Sequence, residues 1–389
     1  MLNTIHNPKL MRIYLIPLIS MILGTMTGAI SILFILDLGA TVFEINLITT
    51  ISSAMGILII VPFGMLSDRL GRRPTVLYPR IITLFGIFIY AIATTPLHLI
   101  IASIIGGFAG GSFFPVLLSM IGDVAKPEER QEAISTFYLF SSIGMFIGPI
   151  ITTALLTMPQ MTLRTIYQIV TVAQVGFTIY LITQIKETQI KQVESEKVDY
   201  KDIIVQLLKE KYFLSVILMS FLYFFFNSIM NTYIPIYGRL NLNLSTAEIA
   251  SISTFRSIAV MIIRFSSATI LSKLSNKTVL LSAIFLGGIT GITTFFASNY
   301  LSIIIIMFFT GLSYGVVLSL GSSIISINST TKNRGIANSL HMATMGIGNI
   351  TKMVTTPIVD VFGVSVIFLI GGITAFSSAL PVVLKKSKT

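Results

Sequence analysis

The chain has 389 residues, of which 54% are hydrophobic and only 11% are charged. A soluble domain averages about 25% charged residues, so this composition excludes an ordinary soluble protein. The absence of cysteine excludes disulfides, thiolate metal sites and a cysteine nucleophile. A net charge of +11 invites a nucleic-acid interpretation, but the sequence has no basic stripe with interleaved aromatic residues, and we expect no nucleic-acid partner.

Twelve apolar runs are each long enough for a membrane-spanning helix, which needs about 20 residues. They predict an all-α membrane protein with six spans in each half and both termini on one side. The first run has no signal-peptide cleavage pattern, so we expect it to remain in the protein. The runs lie near 12–36, 44–66, 75–95, 97–121, 132–157, 163–184, 212–236, 246–271, 278–297, 301–327, 335–357 and 364–384.

The basic residues predict the orientation of these spans. Of the 26 lysines and arginines, 21 lie in segments assigned to one side, Arg80 among them, and the opposite side keeps only Arg164 and Arg239. Because basic loops stay in the cytosol, both termini are expected to be cytoplasmic, in a plasma-membrane protein whose basic loops contact anionic lipids.

The chain repeats itself at an offset of 204 residues. Two copies of one unit predict two six-helix bundles related by a pseudo-two-fold axis, 1–184 and 212–389. The linker 185–211 mixes both charges, and its second part could form an amphipathic surface helix. The offset aligns Glu44 with Glu248, Gly107 with Gly311, and Gly144 with Gly348.

The loop between the second and third runs carries a specific motif, G-x-L-x-D-R-x-G-R-R. At this place in a twelve-helix chain it resembles the signature loop of the major facilitator superfamily, and the resemblance covers essentially the whole chain. It implies the fold of that family and a secondary transporter whose two halves rock around a central site. In the family this loop latches onto the eleventh helix, which would make Asp68 the acceptor; the copy 204 residues later has Ser272 instead. The motif residues are Gly64, Asp68, Arg69, Gly71, Arg72 and Arg73.

A second motif lies in the fifth run, where Gly144, Gly148 and Pro149 resemble the pattern of the drug:proton antiporter branch. That resemblance implies multidrug efflux. Ser135 replaces an earlier glycine of the pattern and Thr152 begins a Thr-Thr pair in place of its closing glycines. The alternative is an ordinary Gly-Pro kink, which membrane helices tolerate.

Three basic residues remain inside the spans: Arg256, Lys352 and Arg264. Ionisable residues in spans are functional candidates, and every carboxylate falls in a loop or at a helix end. The family's arginine of the fourth helix, tied to proton coupling, is replaced by Ser103. A basic site without a buried acid suits an anionic or zwitterionic solute. Alternatively, the arginines bond backbone carbonyls and Lys352 extends outward.

Polar residues recur at helical spacing on two of the runs, which predicts one polar face on each. The asparagines could equally join neighbouring helices, and a lone histidine is more often packed than a proton carrier. Glu44, Asp37 and His341 are the candidates for proton coupling. The polar positions, considered as cavity candidates, are Asn338, His341 and Asn349 with Lys352 on the eleventh run, and Asn227 and Asn231 with Tyr223 on the seventh.

The stretch 311–315 fits G-x-S-x-G, but it lies in an apolar run where small residues serve helix contact. We therefore predict no enzyme, metal or cofactor. The favoured function is proton-coupled export of a small organic solute by a monomer. The alternatives are a uniporter or exchanger of an anionic solute, and a receptor or scaffold that does not transport.

Overall fold

The computed structural model describes residues 3–110, 113–126, 128–188, 200–271, 274–329 and 333–383, except for the side chains of 3, 60–69, 109–110, 113–115, 200–201, 267–271 and 334–335. Within these ranges every regular element is a helix. The chain divides into two compact units, Met1–Ser195 and Glu196–Thr389.

The first unit begins with a short 3₁₀ turn, Asn3–His6. Asn7 then caps the first long helix through its side chain, which accepts from the Lys9 backbone N–H at 3.0 Å, and Pro8 fits the first helical position. The helices of the unit are α1 (Pro8–Gly28), α2 (Ser31–Asp37), α3 (Val42–Leu70), α4 (Arg72–Ile92), α5 (Pro96–Gly110), α6 (Phe113–Val124), α7 (Arg130–Leu156) and α8 (Leu163–Gln184).

The second unit also starts its helices at polar caps. Ser275 caps one helix, and Asn299 forms a reciprocal capping box with Ser302 at the start of another. The helices are α9 (Tyr200–Lys209), α10 (Lys211–Leu240), α11 (Thr246–Leu271), α12 (Asn276–Phe295), α13 (Tyr300–Asn328), α14 (Arg334–Ile350), a 3₁₀ turn (Thr351–Thr355), α15 (Thr356–Phe362), α16 (Val364–Ser377) and α17 (Leu380–Val383).

Ten helices of the described residues are long and apolar enough to cross a membrane. Of the other two predicted spans, the fourth contains α5 and α6, which lie on either side of residues 111–112, outside the described ranges. The eleventh contains α14 and α15, which the 3₁₀ turn Thr351–Thr355 separates. Large apolar side chains are exposed on the helices, among them Val172 at 73% and Phe265 at 64%, as lipid contact requires. The prediction of an all-α membrane fold is confirmed.

The 204-residue repeat reappears in the helix contacts. α1 packs on α7, α3 on α5 and α4 on α8, and the same pairs recur as α10 on α14, α11 on α13 and α12 on α16. A Cβ added at Gly107 would lie 2.6 Å from the carbonyl oxygen of Ser52, and one added at Gly311 would lie 2.5 Å from that of Arg256. Ser52 and Arg256 are themselves 204 positions apart, so the close crossing is repeated atom for atom.

The helix α9 lies where the linker was expected to form an amphipathic helix. Ile203 and Leu207 are buried where α9 packs on α10 and α14, while Val205 and Leu208 are exposed. Residues 189–199 lie outside the described ranges. The boundaries 185–211 of the linker therefore stay a prediction.

Candidate functional site

A cluster around Arg256 joins three of the predicted cavity residues. The guanidinium leaves α11 toward α10, where Nη2 donates to Asn227 Oδ1 at 2.6 Å and Nη1 donates to Asn231 Oδ1. The two asparagines stand one helical turn apart and so share one face of α10. Asn227 is buried, whereas Asn231 is exposed and Arg256 is half-buried. The cluster is thus open on the side of Asn231.

Tyr314 of α13 completes this cluster. The Arg256 guanidinium carbon lies 4.8 Å from the centroid of its ring, within the range of a cation–π contact. The close crossing at Gly311, one turn earlier, brings α13 against the backbone of Arg256 and so presents this ring. The sequence prediction missed Tyr314, although it lies within the G-x-S-x-G stretch. The sequence signal that could have indicated Tyr314 is its position three residues after Gly311, the glycine at which α13 crosses α11.

The neighbouring polar contacts are structural. The hydroxyl of Tyr223 donates to Ser313 Oγ at 2.6 Å, since Ser313 Oγ itself donates to the carbonyl oxygen of Ala283 at 2.6 Å. Tyr223 is fully buried. The polar face predicted on α10 therefore divides: Tyr223 fixes α10 to α13, and the two asparagines hold Arg256.

Among the residues that the structure describes, no acidic side chain forms an ion pair with Arg256. Its hydrogen bonds go to neutral amide oxygens, and its buried Nε has no hydrogen-bond partner. The cluster therefore carries a net positive charge within a membrane-spanning helix pair. Such charges are costly in a bilayer and usually serve function.

Lys352 lies in the 3₁₀ turn between α14 and α15 and is only 5% exposed. Its Nζ donates to Thr232 Oγ1 of α10 at 3.1 Å. The side chain thus points into its own unit, and the alternative of an outward-extending lysine does not describe it. The turn also interrupts the single helical run that was predicted over 335–357.

The remaining candidates of the eleventh run are packed against neighbouring helices. His341 is 1% exposed, and its Nε2 lies 2.8 Å from Ser220 Oγ of α10. The side chain of Asn338 exchanges hydrogen bonds with Ser326 of α13 at 3.2 and 3.3 Å. Asn349 accepts a hydrogen bond from a serine of α10 through its backbone carbonyl.

Arg264, the remaining basic candidate, lies in α11 two turns beyond Arg256 and is half-buried.

Arg80 needs a correction. Its charge was expected among the basic loops, but α4 begins at Arg72 and carries Arg80 into its third turn, where it is only 9% exposed. Nη2 donates to Ser20 Oγ of α1 at 2.7 Å, and the guanidinium lies 4.6 Å from the ring centroid of Phe177 of α8. A fourth basic residue therefore lies inside the spans.

The signature loop is fastened by two acids. Gly71 has φ of +100°, which a residue with a side chain rarely adopts. Glu187 occupies the space beside it and accepts from the backbone N–H groups of Arg72 at 2.9 Å and Arg73 at 3.1 Å. Arg72 Nε also pairs with Asp123 at 3.3 Å. The side chains of Asp68 and Arg69 lie outside the described part of the structure, as do the surroundings of Gly64, so the latch stays a prediction.

The fifth-helix motif packs α7 on α1 inside one unit. A Cβ on Gly144 would overlap the carbonyl oxygen of Leu18, and one on Gly148 would lie 2.5 Å from that of Ile22. One turn after Gly148, Thr152 donates to the carbonyl oxygen of Met26 at 3.0 Å, and Pro149 is buried beside it. Thr152, which departs from the antiporter pattern, therefore extends the contact between α7 and α1 by one turn.

The acids predicted for coupling lie at helix ends. Glu44 accepts from Thr41 N at 2.8 Å and its own N–H donates to Thr41 Oγ1 at 3.2 Å, a capping box for α3. The box recurs 204 residues later between Ser245 and Glu248. Asp37 is the exposed last residue of α2. The repeat of Glu44 therefore has a structural reason.

A model of the Major Facilitator Superfamily matches residues 13–293 and, in a second alignment, 240–388. The two matches together cover nearly the whole chain. The chain belongs to the major facilitator superfamily. It is accordingly a multi-pass membrane transporter and not an enzyme.

Individual relatives are distant. Multidrug resistance protein 3 of Bacillus subtilis (strain 168) is 36% identical over 94 residues, which are 23% of this chain and 18% of that protein. The quinolone resistance protein NorA of Staphylococcus aureus (strain MRSA252) is 26% identical over 117 residues, 30% of each. The matches thus span less than a third of these relatives. The human organic anion transporter MFSD10 (TETRAN) shares the fold at a TM-score of 0.71 and 13% identity, over 97% of this chain and all of that one.

Proposed function

We propose that this transporter exports a small organic solute across the plasma membrane by alternating access, in exchange for protons. The observation that carries solute binding is the Arg256 cluster, a charged and partly open group inside two membrane-spanning helices. The likeness of a segment of the chain to proteins named for multidrug and quinolone resistance supports export. The other cavity candidates, Lys352, Arg264 and His341, belong to the same unit.

The proton-coupling group we favour is His341. It lies within the predicted eleventh span and contacts the hydroxyl of Ser220, whereas Glu44 is engaged in a helix cap and Asp37 lies at a helix end. A histidine that gains a proton inside a span changes the charge of the unit by one. Such a change is a direct way to bias a two-state transporter.

The signature loop is proposed to close the cytoplasmic side through Asp68. Support comes from the tight fixation of the residues that follow it, because Gly71 and the N–H groups of Arg72 and Arg73 are held by Glu187. The basic loops support cytoplasmic termini. We further propose a monomer whose partners are its solute, protons and lipids, without nucleic acid.

Flux in proteoliposomes tests the proposal. Purified protein is reconstituted, and the uptake of labelled anionic, neutral and cationic solutes is followed with and without an imposed pH gradient. Gradient-driven flux that a protonophore abolishes is expected. Flux that ignores the gradient would rule out proton exchange.

A second candidate function is uniport or exchange of an anionic solute. It is favoured by the lack of any acidic ion-pair partner of Arg256 in the described ranges. Counterflow, in which unlabelled anion inside the vesicle accelerates uptake of labelled anion, identifies an exchanger. A complete absence of flux, with Arg256→Ala indistinguishable from the parent protein, would instead indicate a receptor or scaffold.

A further inference from the structure

The Arg256 cluster has the chemistry of a receptor for an anion. On the strength of the proposed function, we infer that it binds a carboxylate group of the transported solute, with Asn227 and Asn231 holding the guanidinium until the solute arrives.

The hydrogen bonds of Arg256 are of a replaceable kind. Two Nη atoms donate to two separate amide oxygens, those of Asn227 and Asn231. A carboxylate presents two oxygens in one plane, which matches the fork of a guanidinium. The bonds to the amide oxygens are charge-assisted through the guanidinium alone, whereas a carboxylate adds a second, opposite charge and can accept both N–H groups as one bidentate pair. A carboxylate therefore competes successfully for the positions that the amide oxygens occupy.

The released amides would then contribute to binding. An asparagine amide offers two N–H donors beside its oxygen, so rotation about its last side-chain bond turns a donor toward the anion. The Nε of Arg256, which has no partner in the described structure, supplies a further donor on the edge of the guanidinium. With an anion in place, each group around it can donate.

The charge of the cluster sets the sign of the ligand. No described acid pairs with Arg256, and the face of its guanidinium lies against the ring of Tyr314. Cations approaching this site meet an uncompensated positive charge in surroundings of low polarity, where charges interact strongly. An anion gains the same interaction with the opposite sign.

Access is provided on one side. Tyr314 covers the guanidinium, Asn227 is buried behind it, and Asn231 is exposed. The contact of Gly311 with the Arg256 backbone holds the base of the side chain in place. The anion is therefore expected to arrive past Asn231 and to meet the edge of the guanidinium.

Binding in detergent tests the inference without requiring transport. The probes are three matched sets, the carboxylate, the carboxamide and the aminomethyl derivatives of benzene, naphthalene and biphenyl, and binding is measured as a ligand-dependent rise in Tm. Inorganic phosphate and sulfate form a separate arm for free oxyanions. At least one carboxylate should bind about tenfold or more tightly than its amide, and no amine should bind.

The decisive variant is Asn227→Asp, which keeps the shape of the side chain and gives Arg256 a permanent acidic partner. Carboxylate affinity is expected to fall about tenfold or more, with Tm in the absence of ligand at or above that of the parent protein. Arg256→Lys keeps the charge but removes the fork and should also weaken binding. Arg239→Ala is the matched control, because Arg239 likewise joins α10 to α11, through Thr246 at 3.4 Å, away from the cluster.

Unchanged carboxylate affinity in Asn227→Asp, preference for amines, or failure of every carboxylate to bind would overturn the inference. Tighter binding of phosphate or sulfate than of every carboxylate would also overturn it, in favour of an inorganic oxyanion. Selective carboxylate binding without flux in proteoliposomes would refute the transport function and retain the anion site. Flux of cationic solutes by a protein that does not bind carboxylates would refute the anion site and retain the transport function.

Discussion

The close crossing of α3 and α5 leads to a prediction on two adjacent glycines. A Cβ at Gly107 would lie 2.6 Å from the carbonyl oxygen of Ser52 and 2.7 Å from Met55 Cβ, distances that real Cβ atoms essentially never show. A Cβ at Gly106 meets nothing within 4 Å. Gly107→Ala must therefore separate two backbones, whereas Gly106→Ala need move nothing.

The pair of variants isolates the steric cost. Each replacement gains the same helix propensity, roughly 0.5–1 kcal/mol relative to glycine. Overpacking costs about 1–3 kcal/mol, so the free energy of unfolding of Gly107→Ala should lie about 1–3 kcal/mol below that of Gly106→Ala. For a domain of about 200 residues this is a difference in Tm of roughly 2–12 °C.

The assay is thermal unfolding of the two purified variants in the same detergent, with the parent protein between them as reference. Because Gly311 repeats the contact on Arg256, Gly311→Ala should behave like Gly107→Ala. Equal Tm values for Gly106→Ala and Gly107→Ala would refute the reasoning, since they would mean that the helices do not cross at backbone contact.

Three further outcomes are expected. Glu248→Ala removes one half of a capping box and should lower the free energy of unfolding by about 1 kcal/mol in chemical denaturation. Lys352→Met should leave Tm unchanged or raise it, because apolar replacements of buried charges are often neutral or stabilising. Thr232→Val removes the acceptor of the Lys352 ammonium and should lower the free energy of unfolding by about 1–3 kcal/mol. A lower stability of Lys352→Met than of Thr232→Val would contradict the burial of Lys352. Asp68→Asn should abolish most flux in proteoliposomes while Ser272→Ala retains it, and equal losses would argue against a one-sided latch.

Much of the fold could be predicted because it depends on composition. Apolar runs of membrane length and the 204-residue offset are visible in the sequence itself. The break in the eleventh span was not predicted, since residues 351–355 retain helical spacing and only their packing reveals the 3₁₀ turn. Arg80 was grouped with the loop charges although it lies inside the apolar run 75–95, and only its contacts with Ser20 and Phe177 show that its side chain is buried.

The sequence predicts which residues belong to the candidate site but not which of them contact one another. Arg256 and the two asparagines stand out because polar residues are rare in apolar runs, but only the packing of α10 on α11 shows that they bond to one another. Tyr314 is unremarkable among apolar residues until its ring is seen beside the guanidinium. The capping role of Glu44 was readable, since Thr41 stands three residues before it in the pattern T-x-x-E.

Because the helix crossing is repeated, the Arg256 cluster has equivalent positions in the first unit. Subtracting 204 from its members leads to Leu23, Thr27, Ser52 and Gly110, four residues of the first unit that occupy the equivalent positions and carry no charge. Ser52 already stands at the duplicated contact, opposite Gly107. Replacing these four residues by asparagine, asparagine, arginine and tyrosine, respectively, should therefore reproduce the cluster in the first unit. Arg256→Ser should remove it from the second unit. At the positions equivalent to the Arg256 cluster, the first unit therefore carries an uncharged counterpart of the anion site that we propose for the second unit.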